Sequence, residues 1–582
     1  MAGFEFDPSA IAWRDYWRAA TLLIAIRLAV NYFMRLPLGR WRYVASRDFR
    51  RLIVAQSIGS VIFFASSWTI PVWPVVPRSI ILLEWFMSGY GTVIVWVFYR
   101  LAFERSKVRQ AGVRKRVLLI GAGEGNEMLI SQMLRSTTGY LPVGLVDDDK
   151  FKAGTSLHGV KVAGPTDKVA EIAEELEADE IVIAIPSAAT ADLRRIVEAC
   201  EGTRLPIKIL PAIEEVLDGR VALGLVREIQ VEDLLGRDPV RLELPELAEQ
   251  LRDKTVLVTG AAGSIGSELV RQIALHSPRC LILLDQAETP LYYLELEILA
   301  RDPSFDLVTI VGSITNADTL SRLFGEFHPD RVFHAAAYKH VPLMETNREE
   351  AVRTNVLGTY MIASAAGEAG AEAFILVSTD KAVRPANVMG ATKQMAERVV
   401  LSLQEEYPEC SFGAVRFGNV LGSSGSVIPL FRRQIARGEP LTVTDSRVTR
   451  YFMTIPEAVQ LILQASLLPD LRGHVAMLDM GQPVRILDLA RDLLRLSGQP
   501  FRLGENVLIT GLRPGEKLHE ELSAPEEIVV GTELERVSMI QMTNGFAHLP
   551  IDLIHALKQS DLESLADHVL RRLPVAVGAA RN

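Results

Sequence analysis

The sequence predicts an α/β protein with N-terminal transmembrane helices followed by two Rossmann-like parallel-sheet domains. Three observations predict this order. Apolar stretches fill much of the first hundred residues, and two later strands each open into a glycine-rich turn, one near residue 121 and one near residue 260. A chain of 582 residues, 49% of them hydrophobic, is long enough for several domains. We therefore predict three domains, at 1–105, 106–236 and 237–582.

Composition argues against two classes of function. The net charge of −9 gives no general case for nucleic-acid binding. The three cysteines, Cys200, Cys280 and Cys410, lie far apart, so neither a disulfide framework nor a cysteine-rich metal site is predicted. No metal is expected in the functional site.

The N-terminal region is predicted to be a membrane part. Residues 52–70 are 19 residues without a charge, which is close to the length that crosses a bilayer. Residues 80–99 form a second candidate that contains Glu84, and arginines cluster on the outer flanks. The positive-inside rule then predicts a hairpin with the remainder in the cytoplasm, against the alternative of two buried core helices. Residues 19–36 are either a third span or an interfacial helix.

The first Rossmann-like domain follows, with a connector from residue 211 to 236. The predicted strand RVLLIG leads into GAGEGN, where Gly121 and Gly123 match the dinucleotide-binding fingerprint. Asn126 stands where the third glycine belongs. This domain, which resembles CoA-binding domains, either binds a nucleotide or sugar nucleotide or keeps the fold and binds nothing tightly.

The second glycine-rich turn follows the predicted strand KTVLVTG. Gly260 permits a tight turn, Gly263 lets the backbone approach a pyrophosphate, and Gly266 allows a helix to pack closely on the strand. The helix N-terminus then faces the phosphates, which adds Ser264 and Ile265 to the predicted cofactor site.

Asp285 ends the next predicted strand. A carboxylate there holds the ribose hydroxyls and repels a 2′-phosphate, so NAD is favoured over NADP. Two further strands lead to Ser313 and Ile314 and to Ala335 and Ala336, at the sheet edge where cofactors bind.

The segment HAAAYKHVP, after the fourth of these strands, holds Lys339 and His340. They are either ligand contacts or part of a solvated loop, and the position at the sheet edge favours the ligand. Asn355 either pins backbone near the active-site strand or caps a helix.

The stretch 374–397 carries the candidate chemistry. A buried strand ends in Ser378, Thr379, Asp380 and Lys381, and a helical run that follows carries Lys393. A hydroxyl, a carboxylate and an amine at a strand's carboxyl end suit proton transfer, although such residues also cap loops.

Seven motifs together resemble a known family. They are GAAGSIGSE, HAAAYKHVPLME, TNVLGT, STDKAVRPANVMGATK, VRFGNVLGSSGSVIPLF, TRYFMT and GLRPGEKLHEEL. They resemble the extended short-chain dehydrogenase/reductases, which end in a small C-terminal substrate lobe. More narrowly, they resemble the membrane-bound nucleoside-diphosphate-sugar 4,6-dehydratases, the UDP-N-acetylglucosamine 4,6-dehydratase group of bacterial polysaccharide biosynthesis.

The resemblance implies a function and partners. Such enzymes oxidise the sugar at C4 with NAD, eliminate water across C5 and C6, and return the hydride to C6. The expected substrate is a UDP-N-acetylhexosamine, and UDP-GlcNAc is the preferred candidate. The resemblance further implies a multi-pass protein of the bacterial inner membrane, in contact with the lipid bilayer, that forms a homo-oligomer and passes product to membrane glycosyl-phosphate transferases.

The resemblance also implies catalytic roles. Lys381 is the expected C5 base, Asp380 the acid that protonates the leaving C6 hydroxyl, and Thr379 a hydrogen-bond partner of the C4 oxygen. A lysine base needs a pKa lowered by burial or by a neighbouring cation, and Lys393 is the expected cation. Lys393 is also expected to hold the nicotinamide ribose.

Two positions depart from the wider superfamily. Met389 replaces the tyrosine that usually takes the C4 hydroxyl proton, so the group that does so is open. Ser313 stands where relatives commonly place an aspartate near the adenine, which predicts a weaker adenine contact.

The substrate side is predicted to use residues of the later motifs together with Lys339. They are Arg416, Asn419, Arg450, Arg513 and Glu516. Arginines suit a diphosphate because the guanidinium is permanently charged and bidentate, although a lone arginine is more often in a surface salt bridge. The rival functions are a UDP-sugar 4-epimerase and a non-catalytic sugar-nucleotide sensor or scaffold.

Overall fold

The computed structural model describes most of the chain. The described residues are 13–34, 46–69, 82–95, 98, 114–135, 139–185, 190–200, 203, 205–210, 226–230, 233, 245–423, 425–542, 549–571 and 573. They fall into two compact units, 1–116 with 130–142 and 117–129 with 143–582. The predicted domain boundaries at 105 and 236, and the connector from 211 to 225, lie outside the described residues.

The first unit contains the N-terminal helices. Helix α1 is Trp13–Phe33, helix α2 is Ser46–Thr69, and residues 82–95 are also helical. Arg27, in the middle of α1, is buried and ion-pairs with Glu84 through atoms 2.5 Å apart. The same guanidinium donates to the Gln56 carbonyl at 2.6 Å and to the Ser60 hydroxyl at 2.7 Å.

These helices correct the sequence prediction. Within the described part of the chain, no helix combines the length and the apolar character that crossing a bilayer requires. The physical reason lies in the polar side chains that the helices carry between their ends, Arg27, Gln56 and Glu84 among them. The prediction of N-terminal transmembrane helices is therefore wrong, and the multi-pass localisation that depended on it is not confirmed. The ends of the predicted spans, at 35–36, 70, 80–81, 96–97 and 99, lie outside the described residues.

The first sheet has seven strands. In chain order they are β1 Lys115–Ile120, β2 Tyr140–Val146, β3 Ser156–Leu157, β4 Val160–Gly164, β5 Glu180–Ile183, β6 Ile207–Ile209 and β7 Arg227–Glu228. The sheet order is β3-β4-β2-β1-β5-β6-β7, with β1 parallel to β5 and β5 parallel to β6. Its helices are α3 Glu124–Arg135, α4 Val169–Glu175 and α5 Thr190–Cys200. This is the Rossmann-like arrangement that the sequence predicts.

The second sheet has nine strands. They are β8 Thr255–Thr259, β9 Cys280–Asp285, β10 Asp306–Val311, β11 Arg331–His334, β12 Ala373–Val377, β13 Ser411–Arg416, β18 Val475–Leu478, β21 Glu527–Gly531 and β22 Val537–Met542. The order is β10-β9-β8-β11-β12-β13-β18-β22-β21, and the first seven strands are parallel. The order reverses at β8 and β11, which creates the crevice where ligands bind in open α/β sheets.

Helices cover both faces of this sheet. They are α6 Pro245–Leu251, α7 Ser264–Ala274, α8 Glu288–Leu299, α9 Ala317–Phe327, α10 Val341–Thr346, α11 Arg348–Val352, α12 Thr359–Glu368, α13 Val388–Glu406 and α15 Ile455–Ala465, with α17 Ile551–Lys558 and α18 Leu562–Leu570 near the end of the chain. A π-helix, Arg353–Gly358, connects α11 to α12. Alternate residues of β8 enter different cores: Val256 and Val258 pack on one face and Leu257 on the other. Burial on both faces explains why the parallel strands are apolar throughout.

A smaller lobe lies beyond β13. It contains the short strands β14 Asn419–Val420, β15 Leu441–Val443, β16 Thr449–Arg450, β17 Phe452–Met453, β19 Val484–Arg485 and β20 Val507–Ile509, with helices α14 Val427–Ala436 and α16 Ile486–Leu496. Phe431, Leu441 and Leu489 belong to its separate hydrophobic cluster. Loops of this lobe reach the carboxyl ends of β12 and β13, where Lys517 donates a 2.8 Å hydrogen bond to the Val383 carbonyl.

Candidate active site

The second glycine-rich turn, at Gly260, packs directly against the loop that follows β11. Gly260 has a φ of 66°, and a Cβ there would lie 2.5 Å from the Ala336 amide nitrogen. A Cβ on Gly266 would overlap the Gly260 carbonyl oxygen, so only glycine fits either position. Helix α7 begins at Ser264 with Gly263 as its N-cap, and no side chain caps it. The first backbone amides of this helix are therefore available to a phosphate group.

A pocket follows this edge of the sheet. Seven of the predicted cofactor residues line it: Gly260, Gly263, Asp285, Ser313, Ile314, Ala335 and Ala336. It is also lined by six residues that the sequence reasoning missed: Leu284, Gln286, Gly312, Ala337, Tyr338 and Thr354. Of the other predicted cofactor residues, Ile265 packs against the core beneath the turn. Ala337, Tyr338 and Thr354 lie within the motifs HAAAYKHVPLME and TNVLGT, whereas Leu284, Gln286 and Gly312 are neighbours of predicted residues and lie outside those motifs.

Asp285 is held at the mouth of this pocket. Its Oδ2 accepts a 2.9 Å hydrogen bond from the Ala262 amide, and its Oδ1 accepts one of 2.9 Å from the Ala287 amide. These bonds fix the carboxylate beside the glycine-rich turn. Ser313 also lines the pocket, and its hydroxyl lies 2.8 Å from the Thr315 hydroxyl and accepts a 3.2 Å hydrogen bond from the Thr315 amide.

The residues Thr379, Asp380 and Lys381 lie together at the end of β12. Thr379 donates to Asp380 Oδ1 at 2.9 Å, and Lys381 Nζ donates to the same oxygen, also at 2.9 Å. The Asp380 amide donates to the Phe417 carbonyl, which anchors the turn to the loop after β13. Asp380 is fully buried, and its Oδ2 has no hydrogen-bond partner among the described residues.

The Lys381 ammonium is held by oxygen atoms from three segments. Besides Asp380, it donates to Asn419 Oδ1 at 3.0 Å and lies 3.7 Å from Glu520 Oε1. Burial acts to lower the pKa of Lys381, but the carboxylates of Asp380 and Glu520 outweigh it, so the pKa is raised. The expectation that the pKa of Lys381 is lowered is wrong, because the carboxylates of Asp380 and Glu520 outweigh both burial and the charge of Arg450.

Lys393 lies elsewhere in the interior. Its Nζ donates a 2.7 Å hydrogen bond to the Val377 carbonyl, and burial lowers its pKa to about 8. Met389, one helical turn before it, is buried in a small apolar cluster with Val388 and Met344. Met389 therefore fills space at the position of the missing tyrosine.

The loop after β11 is held to helix α13 by Asn355. Its side chain accepts from the Tyr338 amide at 2.8 Å and donates to the Tyr338 carbonyl and the Thr392 hydroxyl, each at 3.0 Å. The structure thus favours the backbone-pinning interpretation of Asn355. Lys339, next to this anchor, is exposed to solvent on one side. Its pKa is lowered, mainly because the surrounding protein partly desolvates the ammonium and to a smaller extent because Lys381 carries a like charge. The His340 side chain lies close to Gly425, in the loop that follows β14.

Arg416 points into the interior. It is 2% exposed and ion-pairs with Glu397 and Glu527, each at 2.8 Å. Burial acts against its charge, but these two carboxylates raise its pKa. The structure therefore does not bring Arg416 to the open side of the site, and its guanidinium instead joins α13 to β21.

The other predicted substrate residues lie on the lobe side. Arg450 and Glu516 form an ion pair at 3.2 Å, and Asn419 contacts Lys381 as described. Arg513 is exposed, and its backbone amide donates to Glu516 at 3.2 Å. Four of the predicted residues, Lys339, Asn419, Arg450 and Glu516, thus belong to segments around Lys381.

The first domain has a similar but altered turn. Asp147, at the end of β2, accepts a 2.6 Å hydrogen bond from the Ala122 amide, as Asp285 does from Ala262. The side chain of Asn126 donates to the carbonyls of Ile120 and Gly121, at 2.9 and 2.6 Å. Asn126 thus closes the turn on itself where a third glycine would leave room.

Comparison with known proteins gives the family. A polysaccharide biosynthesis protein family matches residues 256–542, and a CoA-binding domain family matches residues 39–211. The capsular polysaccharide biosynthesis protein CapD of Staphylococcus aureus is 45% identical over 441 residues, which is 75% of this chain and 73% of that protein. The chain belongs to the polysaccharide biosynthesis protein family.

Two further relatives are more distant. The UDP-N-acetylglucosamine 4,6-dehydratase (inverting) of Campylobacter jejuni is 31% identical over 298 residues, which is 50% of this chain and 84% of that enzyme. A crystal structure of DesIV, a dTDP-glucose 4,6-dehydratase from Streptomyces venezuelae solved with NAD bound, is 25% identical. It covers 46% of this chain and 88% of its own, with a TM-score of 0.41.

The family assignment confirms the resemblance predicted from the motifs. This polysaccharide biosynthesis protein is an enzyme of the extended short-chain dehydrogenase/reductase class, which includes nucleotide-sugar dehydratases and epimerases. Its glycine-rich turn fits NAD: the turn excludes a Cβ, the helix N-terminus is uncapped, and Asp285 stands beside the pocket.

One residue of this family member escaped the sequence reasoning although its side chain reaches Lys381. Glu520 lies four residues after Glu516, within the quoted motif GLRPGEKLHEEL. Glu520 is far from Lys381 in the chain, and nothing in the sequence indicates that the two side chains come together. Only the folding of the lobe loop onto the sheet edge reveals it.

Proposed function

We propose that this protein is an NAD-dependent 4,6-dehydratase of a UDP-N-acetylhexosamine, with UDP-GlcNAc as its substrate. The product is a UDP-4-keto-6-deoxy sugar for surface polysaccharide synthesis. The observation that carries the proposal is the hydrogen-bonded pair of Lys381 and Asp380 at the end of β12. A 4-epimerase needs no proton transfer at C5, and a scaffold needs no buried acid–base pair at all.

The pair already holds the proton that the elimination requires. In the resting arrangement the proton is on Lys381, since its pKa is raised, and the acceptor Asp380 Oδ1 lies 2.9 Å away. Transfer of that proton along the hydrogen bond gives a neutral amine and a neutral carboxyl group without changing the net charge of the pair. These are the two forms needed for a base and an acid.

The residues then have separate tasks. Bound NAD supplies reversible oxidation at C4, which makes the C5 proton acidic. The Lys381 amine takes the C5 proton, the C6–O bond breaks, and the Asp380 carboxyl gives its proton to the departing hydroxyl. One water leaves the substrate, and the pair returns to its ammonium and carboxylate forms. As the hydride taken from C4 returns to C6, the Lys381 ammonium gives a proton back to C5, which completes the 4-keto-6-deoxy sugar. The Thr379 hydroxyl donates to Asp380 Oδ1, and we assign it a hydrogen bond to the C4 oxygen instead once Asp380 is protonated.

Dehydration is tested by turnover in deuterated water. The purified full chain is incubated with UDP-GlcNAc in deuterated water, and the product is examined by mass spectrometry and NMR. The proposal predicts loss of one water and entry of solvent deuterium at C5, and the configuration at C5 separates retention from inversion. An unchanged mass with a galacto-configured product would make the protein an epimerase. Binding of UDP-GlcNAc without any turnover would support a scaffold.

A further inference from the structure

A buried carboxylate outside the predicted site faces the catalytic lysine. Glu520 is 8% exposed, and its Oε1 lies 3.7 Å from Lys381 Nζ and 3.5 Å from Arg450 Nε. Its second oxygen, Oε2, has no hydrogen-bond partner among the described residues. A buried carboxylate oxygen without a partner is costly, so the position calls for a donor that the protein itself does not provide.

The backbone around Glu520 is fixed from both sides. On one side the Thr449 amide donates to the Leu518 carbonyl at 3.1 Å, and the Arg450 side chain donates to the same carbonyl at 3.2 Å. On the other side the Arg416 side chain donates to the Leu522 carbonyl at 3.3 Å. The carboxylate is therefore held in place before any ligand arrives, which is what a preorganised binding group requires.

The two carboxylates next to the Lys381 ammonium each have one buried oxygen without a hydrogen-bond partner among the described residues. These oxygens are Glu520 Oε2 and Asp380 Oδ2, and the second belongs to the residue assigned as the acid. Both carboxylates belong to residues within 4 Å of Lys381 Nζ, where the sugar must present its C5 proton. Hydroxyl groups are the donors that a hexose carries, and they suit a carboxylate acceptor in a site shielded from water.

We propose that Glu520 is a hexose-binding residue of this active site, accepting a hydrogen bond from a sugar hydroxyl through Oε2 while Oε1 faces Lys381. The assignment deepens the proposed function and rests on it. Glu520 thereby orients the hexose relative to Lys381, while the nucleotide is bound elsewhere. Its effect should appear in the affinity for the sugar part of the substrate and not in the affinity for UDP.

Glu520 also acts on the titration of the catalytic pair. The charged groups that act on Lys381 are Asp380, Glu520, Arg450, Lys339 and Lys517. Of these, the two carboxylates favour the ammonium form, so removal of one negative charge lowers the pKa of Lys381. The singly protonated pair is the active form, and the alkaline limb of kcat/KM marks loss of its proton. That limb should move to lower pH when Glu520 is neutralised.

The test is Glu520→Gln in the full chain, with Glu521→Gln as the matched control. Glu521 forms a surface ion pair with Arg384 and should tolerate the change. Calorimetric titration with UDP-GlcNAc and with UDP, plus the pH profile of kcat/KM, gives the readout. Glu520→Gln should weaken UDP-GlcNAc binding about 10- to 100-fold, as expected for a hydrogen bond to a charged group, leave UDP binding unchanged and shift the alkaline limb downward.

The outcomes separate this inference from the dehydratase assignment. Equal loss of UDP and UDP-GlcNAc affinity, or unchanged affinity for both with an unshifted pH profile, would overturn the role of Glu520. If wild type binds UDP-GlcNAc without converting it, and Glu520→Gln still weakens that binding selectively, the dehydratase proposal fails while the binding role stands.

Discussion

Lys381 Nζ donates to Asp380 Oδ1 over 2.9 Å, so the expected base and the expected acid are joined by one hydrogen bond. The two residues are adjacent in sequence and lie at the end of the fifth parallel strand of the sheet. Because the carboxylates of Asp380 and Glu520 raise the pKa of Lys381, the pair rests as ammonium and carboxylate. In the proposed mechanism, the proton needed at C6 is thus stored next to the amine that removes the proton at C5.

Loss of either member should stop the elimination. We expect Lys381→Met and Asp380→Asn each to reduce kcat for dehydration of UDP-GlcNAc by about 10²- to 10⁴-fold, the usual contribution of a positioned acid or base. NAD content, measured by absorbance after denaturation, should stay at the wild-type level. Lys558→Met, which removes an exposed lysine paired with Glu406, serves as the control and should keep full activity. Wild-type turnover in Lys381→Met would contradict the assignment.

Arg416 should prove to be a stabilising residue. Its ion pairs with Glu397 and Glu527 are buried, so Arg416→Met leaves two carboxylates without their cation. We expect the free energy of unfolding to fall by about 3–5 kcal/mol, measured by urea denaturation, with UDP affinity of the folded protein unchanged. Arg301→Met, which breaks an exposed pair with Glu297, should change it by no more than about 0.5 kcal/mol. Lost UDP affinity with unchanged stability would return Arg416 to the substrate site.

The glycine-rich turn should tolerate no Cβ at Gly266. A methyl group there would overlap the Gly260 carbonyl oxygen, which forces helix α7 away from β8. We expect Gly266→Ala to lower the melting temperature and to abolish retention of NAD. Gly325→Ala is the matched change in an exposed helical position with open space around it, and it should stabilise by about 0.5–1 kcal/mol. NAD retention by a stable Gly266→Ala protein would show that the close packing is dispensable.

Lys393 should give stability a characteristic pH dependence. Its pKa falls from 10.5 to about 8 on folding because it is buried, so between these values the unfolded chain binds the extra proton. Stability therefore rises with pH across this window, by about 1.4 kcal/mol per unit from this group alone. The difference in unfolding free energy between wild type and Lys393→Met, measured by urea denaturation from pH 7 to 10.5, isolates the effect. A difference that stays flat with pH would contradict the lowered pKa.

Local sequence patterns predicted the second sheet and its cofactor edge. Gly260, Gly263 and Gly266 follow a strand at fixed spacing, and Asp285 ends the next strand. Their roles depend on backbone conformation and on strand-end position, which neighbouring residues largely determine. The same holds for Asp380 and Lys381, which are adjacent in the chain. The N-terminal helices are the opposite case, because apolar stretches predicted membrane spans, whereas the folded segments include Arg27 and Glu84 as a buried pair.

The sequence by itself therefore determined the α/β class, the glycine-rich turn and the adjacent acid–base pair, because each is encoded within a short segment. Only the tertiary structure decided which distant charges meet. It turned Arg416 inward to Glu397 and Glu527, and it placed Glu520 beside Lys381, 139 positions earlier in the chain. Such pairings depend on how the lobe loops fold onto the sheet edge, and an isolated charge in a sequence carries no record of its partner.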